Sequence, residues 1–339
     1  MYRKISRIAF YFKLSLALLG IVLVGGTAFL TMILSFELDC SNPSKYLTIQ
    51  SGANVEDVAN QLVAEKCIPR PAVLKLAMRL TFKDKLIKAG RYTLKGITTM
   101  NQLIQMITSP NADRIKVTIL EGWTIKQITE TLTDELDIDA FRFQNLCYDH
   151  NFIHSLGISA PSLEGFLFPD TYIFLSTYAE ENIIQIMVNQ FKHNFQTFVS
   201  PYTNRARLNQ LELATLASII QGEAMYKDEM QKISSVYHNR IEKKMKLQAD
   251  PTIQYILPKR KKRLYTKDLR IDSPYNTYKY YGLPPGPINN PGLAALKAAA
   301  NPDQTEYLYF VADGKGRHIF SRTNREHNQA RFQLKRRRR

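Results

Sequence analysis

The feature that most constrains this chain is a long uncharged segment near its N-terminus. Leu14 to Phe36 spans 23 residues without a charged side chain, and about 20 predominantly apolar residues are enough to cross a bilayer as a helix. Four basic residues precede the segment, and Glu37 and Asp39 follow it. Because basic residues favour the cytoplasmic side, we predict a cytoplasmic N-terminus over 1–13, a single transmembrane helix over 14–36, and the rest of the chain outside the membrane.

A cleaved signal peptide is the alternative interpretation of this segment. The apolar region of a signal peptide usually spans about 7–15 residues and ends at a small-residue cleavage site. The segment here is longer and no such site follows it. The residue before Cys40 is Asp39, which disfavours processing as a lipoprotein. The sequence therefore favours a retained anchor.

The net charge of +16 first suggests a nucleic-acid partner. Two short runs, Lys259–Arg263 and Lys335–Arg339, carry ten of the positive charges between them. Outside the membrane, such runs would meet anionic lipid head groups or acidic wall polymers. The alternative is that they form a solvated loop tip and a frayed tail. We predict no nucleic-acid partner.

The segments after the anchor alternate between strand and helix patterns, which predicts an α+β fold. Over residues 45–110, "YLTIQ" and "AGRYTL" are typical of strands, and "NVEDVANQLVAEK" and "AVLKLAMRL" have helical spacing, with Asn54 as a helix cap. "DGKG" predicts the turn of a hairpin near the C-terminus. Ile49–Leu62 also aligns without gaps to Ile119–Leu132, an offset of 70 residues, which suggests an internal repeat of strand, glycine turn and capped helix. The alternative is a chance match, because many strand–turn–helix units share this pattern. The three cysteines leave at least one unpaired.

Glu223 is the residue whose placement most suggests chemistry. It follows the apolar helical stretch "LELATLASII" and shares one helix face with Leu216, Ile219 and Ile220. A carboxyl group among apolar neighbours has a raised pKa, which keeps the proton that a general acid needs. Gly222 would let a ligand approach the backbone. The alternative is a structural Glu223, paired with an arginine or bonded to a backbone amide.

No second carboxylate with similar burial lies close to Glu223 in sequence. Asp250 precedes Pro251 and is also interpretable as a helix N-cap with proline at the first helical position. A lone acid is sufficient for one reaction on a glycan. The acid protonates the glycosidic oxygen, and a hydroxyl of the same sugar then closes on the anomeric carbon.

The Tyr-, Asn- and Pro-rich region after residue 245 suits a carbohydrate ligand. Tyrosine rings offer flat faces for sugar C–H groups, and the amides of Gln248 and Asn276 offer partners for hydroxyl and acetamido groups. The alternative is that the tyrosines fill a β-rich core. No phosphate loop, Rossmann fingerprint, nucleophile elbow or zinc-protease motif occurs, and the six histidines are scattered. We therefore predict no cofactor and no metal site.

Seven motifs are spread along the chain after the anchor: "KAGRYTL", "ILEGWT", "LEGFLFPDTY", "LASIIQGEA", "VYHNRIEKKMKLQADPTIQY", "YNTYKYYGLPPGPINNPGLAALKAAANP" and "YLYFVADGKGRHIFSRTNREHN". Together they resemble the MltG (YceG-like) family of endolytic murein transglycosylases. The resemblance implies a LysM-like βααβ module over 45–110 and a mixed α/β catalytic domain over 111–334, followed by a basic tail over 335–339.

The family resemblance also implies a function and a set of site residues. It implies cleavage between N-acetylmuramic acid and N-acetylglucosamine inside peptidoglycan strands, with 1,6-anhydromuramic ends. It implies Glu223 as the catalytic acid and Gln248, Asp250, Asn276 and Tyr278 as residues that line the cleft. The family commonly has Glu-x-Glu where this chain has Gln221 before Glu223. Implied partners are nascent glycan strands and the wall-synthesis machinery at a bacterial inner membrane. The competing hypothesis is a non-catalytic wall-binding scaffold.

Overall fold

The structure is a computed structural model that describes residues 2–38, 40, 46–50, 52–94, 96–109, 114–136, 138–176, 178–203 and 207–337. The chain divides into two compact units. The first comprises Met1–Ile115 with Leu175–Thr177, and the second comprises Lys116–Phe174 with Tyr178–Arg339. Helices and strands occur in both units, as the predicted α+β class requires.

The first unit contains a strand–helix–helix–strand sequence between two further helices. Its elements are α1 (Tyr2–Leu34), β1 (Tyr46–Ile49), α2 (Val55–Ala64), α3 (Pro71–Leu80), β2 (Gly90–Thr93) and α4 (Met100–Thr108). The two strands pair antiparallel, with Tyr46 opposite Thr93 and Ile49 opposite Gly90. The unit has an apolar core of fully buried side chains that includes Val58, Leu62, Leu74, Met78 and Leu103 of its helices.

The start of α2 confirms the predicted cap. The Asn54 side chain accepts from the backbone N–H groups of Glu56 and Asp57, and the Asp57 carboxylate accepts from the Asn54 N–H. This capping box satisfies backbone donors that would otherwise have no partner at the helix end. Cys40 and Cys67 form a disulfide in this unit, and Cys147 in the second unit is free and buried. The prediction of an unpaired cysteine is confirmed.

The N-terminal helix α1 contains most of the predicted membrane segment. Across the part of the chain that the structure describes, no helix combines the length and the apolar character that crossing a bilayer requires. The predicted segment 14–36 includes residues 15–17, whose side chains lie outside the described set.

The second unit is a helical assembly with short strand pairs. Its helices are α5 (Ile125–Leu136), α6 (Ala140–Tyr148), α7 (His150–Ser155), α8 (Glu180–Phe198), α9 (Gln210–Glu223), α10 (Met230–Glu242), α11 (Asp250–Ile256), α12 (Leu293–Ala300) and α13 (Asn324–Arg337). Its hairpin strands are β5 (Tyr309–Ala312) and β6 (His318–Ser321). Two further strands, β3 (Arg114–Thr118) and β4 (Thr171–Leu175), pair with each other.

The hairpin and the internal repeat are both visible in the backbone. In the predicted turn, the Asp313 carboxylate accepts from the N–H groups of Lys315 and Arg317. Gly52 and Gly122 both have positive φ, +85° and +81°, and helices begin at the corresponding positions Val55 and Ile125. The aligned segments therefore share a glycine turn followed by a helix.

Helix α9 forms the centre of the second unit. It begins with a capping box, in which the Asn209 side chain accepts from the Glu212 N–H and the Glu212 carboxylate accepts from the Asn209 N–H. Every residue from Leu213 to Ile220 is buried, and α12 and α10 pack against the helix. Because α9 is surrounded on most sides, the position of its last residue is set by packing.

Candidate active site

Glu223 is the last residue of α9. The three apolar residues that share its face, Leu216, Ile219 and Ile220, are fully buried, whereas Glu223 remains partly exposed. The chain leaves the helix in an extended conformation at Ala224. The helix therefore carries one carboxyl group from the core to the edge of the second unit.

Gly222 does not provide the open approach that the sequence predicts. A Cβ atom at this position would lie 2.7 Å from Pro251 Cβ, well inside van der Waals contact. The missing side chain makes room for the first turn of α11, so the close neighbour of this glycine is Pro251 and not a ligand.

The environment of the Glu223 carboxyl group raises its pKa to about 7. Burial is the largest cause, because it disfavours the charged form. The negative charge of Asp250 acts in the same direction. A hydrogen bond from Tyr237 Oη to Glu223 Oε1, at 3.0 Å, lowers the pKa, as do the charge of Arg240 and the backbone N–H of Asp250. The group therefore changes protonation near neutral pH.

Arg240 does not neutralise Glu223 by direct pairing within the described structure. Its Nε donates to Leu308 O at 2.7 Å, and its Nη1 donates to Leu247 O at 2.7 Å and to Lys246 O at 3.3 Å. The guanidinium group thus donates its hydrogen bonds to backbone carbonyl oxygens.

Asp250 and Tyr278 lie beside Glu223 as a bonded pair. Tyr278 Oη donates to Asp250 Oδ1 at 2.5 Å. The interpretation of Asp250 as an N-cap is wrong: it is the first residue of α11, Ala249 is the N-cap, and the cap makes no side-chain hydrogen bond. The Asp250 carboxylate instead accepts from Tyr278, and its negative charge raises the pKa of Glu223.

Gln248 and Asn276 occupy different environments from each other. Gln248 is exposed, and its backbone has a left-handed φ of +51°, held by a hydrogen bond from its N–H to Thr277 O at 3.1 Å. A non-glycine residue in this region is uncommon and often marks a functional site. Its amide side chain is available to a ligand.

Asn276 is fully buried, unlike the exposed amide that the sequence suggests. Its Nδ2 donates to Leu269 O at 3.1 Å and to Ile271 O at 2.7 Å, and its Oδ1 accepts from the Tyr278 N–H at 2.9 Å. The amide is used within the loop, where it fixes the backbone of Tyr278.

Sequence reasoning missed the partners of Glu223. Tyr237 is buried on α10, and a buried tyrosine hydroxyl usually needs a hydrogen-bond partner. That requirement is the signal that could have linked Tyr237 to a nearby acid. The expectation that no second buried carboxylate lies close to Glu223 in sequence is wrong, because Glu229 is buried and accepts from the His318 N–H. Glu164 is a further buried carboxyl group, and burial raises its pKa to about 8. Among the residues described, no cluster of three His, Cys, Asp or Glu side chains could hold a metal ion.

Chemically, the arrangement provides one proton that is exchanged near neutral pH. A general acid works best when its pKa lies near the pH at which it operates. Glu223 meets this condition, and the exposed side of Gln248 and the half-buried ring of Tyr278 offer contacts beside it.

Comparisons with known proteins agree on one family. The model of the YceG-like family matches residues 47–333. The endolytic murein transglycosylase of Bacillus subtilis strain 168 is 35% identical over 300 residues, which cover 84% of this chain and 83% of that protein. The endolytic murein transglycosylase of Streptococcus pneumoniae strain D39 is 28% identical over 322 residues, but the match covers only 58% of its length.

A solved structure agrees with these matches. The crystal structure of a yceG-like protein from Listeria monocytogenes has a TM-score of 0.61 and 31% identity, and the match covers 84% of this chain and 97% of that one. Because the family match spans most of the sequence and its fold is shared with a solved member, the chain belongs to the YceG-like family.

Proposed function

We propose that this chain is an endolytic lytic transglycosylase, a carbon–oxygen lyase that cuts peptidoglycan glycan strands. The observation that carries the proposal is the carboxyl group of Glu223, which is held at the end of a buried helix with a pKa of about 7. The names of the Bacillus and Streptococcus relatives support the same substrate class.

The reaction uses Glu223 twice. Protonated Glu223 first donates its proton to the oxygen that joins N-acetylmuramic acid to N-acetylglucosamine, and the bond from that oxygen to the anomeric carbon breaks. The resulting carboxylate then takes the proton of the C6 hydroxyl of the same muramic acid, whose oxygen closes on the anomeric carbon. The products are a new N-acetylglucosamine hydroxyl and a 1,6-anhydromuramic end, and no water is consumed.

The neighbours of Glu223 balance its two protonation states. Burial and the charge of Asp250 favour the proton in the ground state, whereas the Tyr237 hydroxyl stabilises the carboxylate that forms after transfer. Gln248 and Tyr278 contact the sugar, and Asn276 acts by positioning Tyr278.

The proposed location is based on the N-terminal segment. We place residues 14–36 in a bacterial inner membrane as a single-pass anchor, with the C-terminal bulk outside. Support comes from the uncharged run of 23 residues, from the exposed apolar side chains of Ile21, Val22 and Val24, and from the Cys40–Cys67 disulfide, a bond typical of oxidising compartments. A reporter fused after Arg339 should be active only outside the membrane.

The first unit and the location suggest the partners. Its strand–helix–helix–strand order supports a LysM-like glycan-binding role. At the membrane surface the protein would meet nascent strands and the wall-synthesis machinery, and each cut would end a growing strand. The competing function, a wall-binding scaffold without activity, is favoured by the same module.

Digestion of purified sacculi separates the two functions. Products of the wild type, Glu223→Gln and a control, Glu242→Gln, are analysed by mass spectrometry; Glu242 is an exposed acid on α10. The enzyme hypothesis expects anhydro-ended glycans from the wild type and the control and none from Glu223→Gln. Undiminished release of anhydro-ended glycans by Glu223→Gln would show that Glu223 is not the general acid. Absence of product from the wild type and both variants would favour the scaffold function.

A further inference from the structure

Asn290 is a fully buried residue whose side chain uses all of its hydrogen-bonding positions. Its Nδ2 donates to Trp123 O at 3.0 Å and to Glu164 Oε1 at 2.9 Å. Its Oδ1 accepts from the N–H groups of Gly165 and Leu167, each at 2.9 Å. One amide therefore joins segments that are more than 100 residues away in sequence, and a fully satisfied buried network of this kind is rigid.

Backbone hydrogen bonds of Asn290 also join two of these segments. The N–H of Asn290 donates to Trp123 O at 2.8 Å, and its carbonyl accepts from the Gly122 N–H at 2.8 Å. Glu164, only 2% exposed, accepts from the Ile125 N–H at 3.1 and 3.3 Å through its two oxygens. We call the Asn290 and Glu164 side chains with these backbone partners the polar hub.

The segment 286–292, which contains Asn290, also contacts the last turns of α9. The Ile288 N–H donates to Ser218 Oγ at 3.0 Å, and Asn289 Nδ2 donates to Ser218 O at 2.8 Å. The Gly292 N–H donates to Gln221 Oε1 at 3.0 Å. The polar hub holds one side of this segment, and the other side holds the end of α9 that carries Glu223.

We propose that Asn290 and Glu164 are positioning residues, which fix the Glu223 carboxyl group by holding segment 286–292 against α9. This inference rests on the proposed function for its catalytic consequence. It also assigns a physical task to the motifs "ILEGWT", "LEGFLFPDTY" and "GPINNPG", which converge on the hub although none of them supplies the acid.

The same geometry gives Gln221 a role. Its contact with Gly292 needs only an acceptor oxygen, which an amide supplies as well as a carboxylate does. A chain with Gln at this position therefore keeps the contact, and a second acid is not required there.

The test combines truncation and conservative variants of the full-length protein. Asn290→Ala, Glu164→Ala and Gln221→Ala each remove a link, whereas Glu164→Gln keeps an acceptor for the Ile125 N–H and for Asn290. Asn194→Ala is the control, because Asn194 is also buried and bonds to Gln190 O within α8, away from the hub. Release of anhydro ends gives kcat and KM, and thermal unfolding gives Tm.

We expect the truncations to lower kcat by about 10- to 100-fold with little change in KM, since small displacements of a catalytic group cost rates of this order. Glu164→Gln should stay within about threefold of the wild type, because its hydrogen bonds are retained. Asn194→Ala should lower Tm without lowering kcat of the folded protein. If Asn290→Ala and Gln221→Ala lower only Tm, or if Glu164→Gln is as inactive as Glu164→Ala, the proposal is overturned.

Two readouts do not depend on activity. Trp123 is the single tryptophan of the chain, so its emission and acrylamide quenching report on the hub. Hydrogen exchange of the amides at residues 219–224 reports on the end of α9. Acrylamide quenching of Trp123 and hydrogen exchange at residues 219–224 should both increase in Asn290→Ala and not in Glu164→Gln. If the wild type releases no anhydro ends, the proposed function fails, but these readouts still test whether the polar hub holds the end of α9. Unchanged exchange in Asn290→Ala and Gln221→Ala would refute that structural link.

Discussion

Tyr237 Oη donates a hydrogen bond to Glu223 Oε1 at 3.0 Å, from the middle of α10 to the end of α9. The bond stabilises the carboxylate, whereas burial of the same group stabilises the carboxylic acid. Because these effects oppose each other, the pKa of Glu223 lies at about 7, well above its ordinary value of 4.5. An acid and its conjugate base are then both accessible near neutral pH.

Replacing Tyr237 with Phe should move the pH dependence upward. The ring still fills its site, but the carboxylate loses a donor, so we expect the pKa of Glu223 to rise by about one unit. The falling limb of the pH–activity profile should shift to higher pH by the same amount. Tyr172→Phe is the control, because Tyr172 is a buried tyrosine whose hydroxyl donates to Phe168 O. Equal profiles for the wild type and Tyr237→Phe would show that the bond does not set the pKa.

Replacing Asp250 with Asn should have the opposite effect. The negative charge of Asp250 raises the pKa of Glu223, so its removal lowers that pKa by about one unit and moves the falling limb to lower pH. Because Asp250 is exposed, added salt should shrink the difference between wild type and variant. Asp272→Asn, an exposed acid that pairs with Lys279, should leave the profile in place. A shift to higher pH in Asp250→Asn would contradict the assignment.

Glu164 should make the stability of the second unit depend on pH. Its pKa rises from 4.5 to about 8 in the folded state because of burial, so folding retains the proton. The stabilisation is fully present below pH 4.5 and is lost as the pH rises through about 8, a change on the order of 5 kcal/mol. Denaturant unfolding followed by Trp123 fluorescence should show this decline in the wild type and a flatter curve in Glu164→Gln. Parallel curves would contradict it.

The Cys40–Cys67 disulfide should stabilise the first unit. The two cysteines are 27 residues apart, and closing such a loop is worth about 3.5 kcal/mol in the chain-entropy treatment. Cys40→Ser with Cys67→Ser should lower the unfolding free energy of that unit by this order.

Cys147 should resist alkylation in the folded protein, because burial removes access and raises the pKa of its thiol. Rapid labelling of Cys147 under native conditions would argue against the buried placement.

Local patterns of the sequence predicted local structure well. The cap at Asn54 and the turn at Asp313 depend on neighbours in the chain, and both are confirmed. The predicted helix that ends at Glu223 begins at Gln210, where Asn209 and Glu212 form a capping box. Capping residues and apolar spacing carry this information because helix ends are satisfied by residues a few positions away.

The surroundings of Glu223 could not be predicted in the same way. Asp250 acts on Glu223 where Pro251 packs on Gly222, a contact between separate helices. Asn276 was expected at the surface, but its amide is used by backbone groups of its own loop. The first contact depends on the packing of separate helices, and the second depends on the conformation of an irregular loop; the spacing of residues in the sequence predicts neither.

The most direct test is a titration of the Glu223 carboxyl group by carbon-13 NMR, with Glu223→Gln to assign the signal. The account predicts a midpoint near pH 7 that coincides with the falling limb of glycan cleavage. A midpoint near the ordinary value of 4.5, in a protein that still releases anhydro-ended glycan at neutral pH, would contradict it.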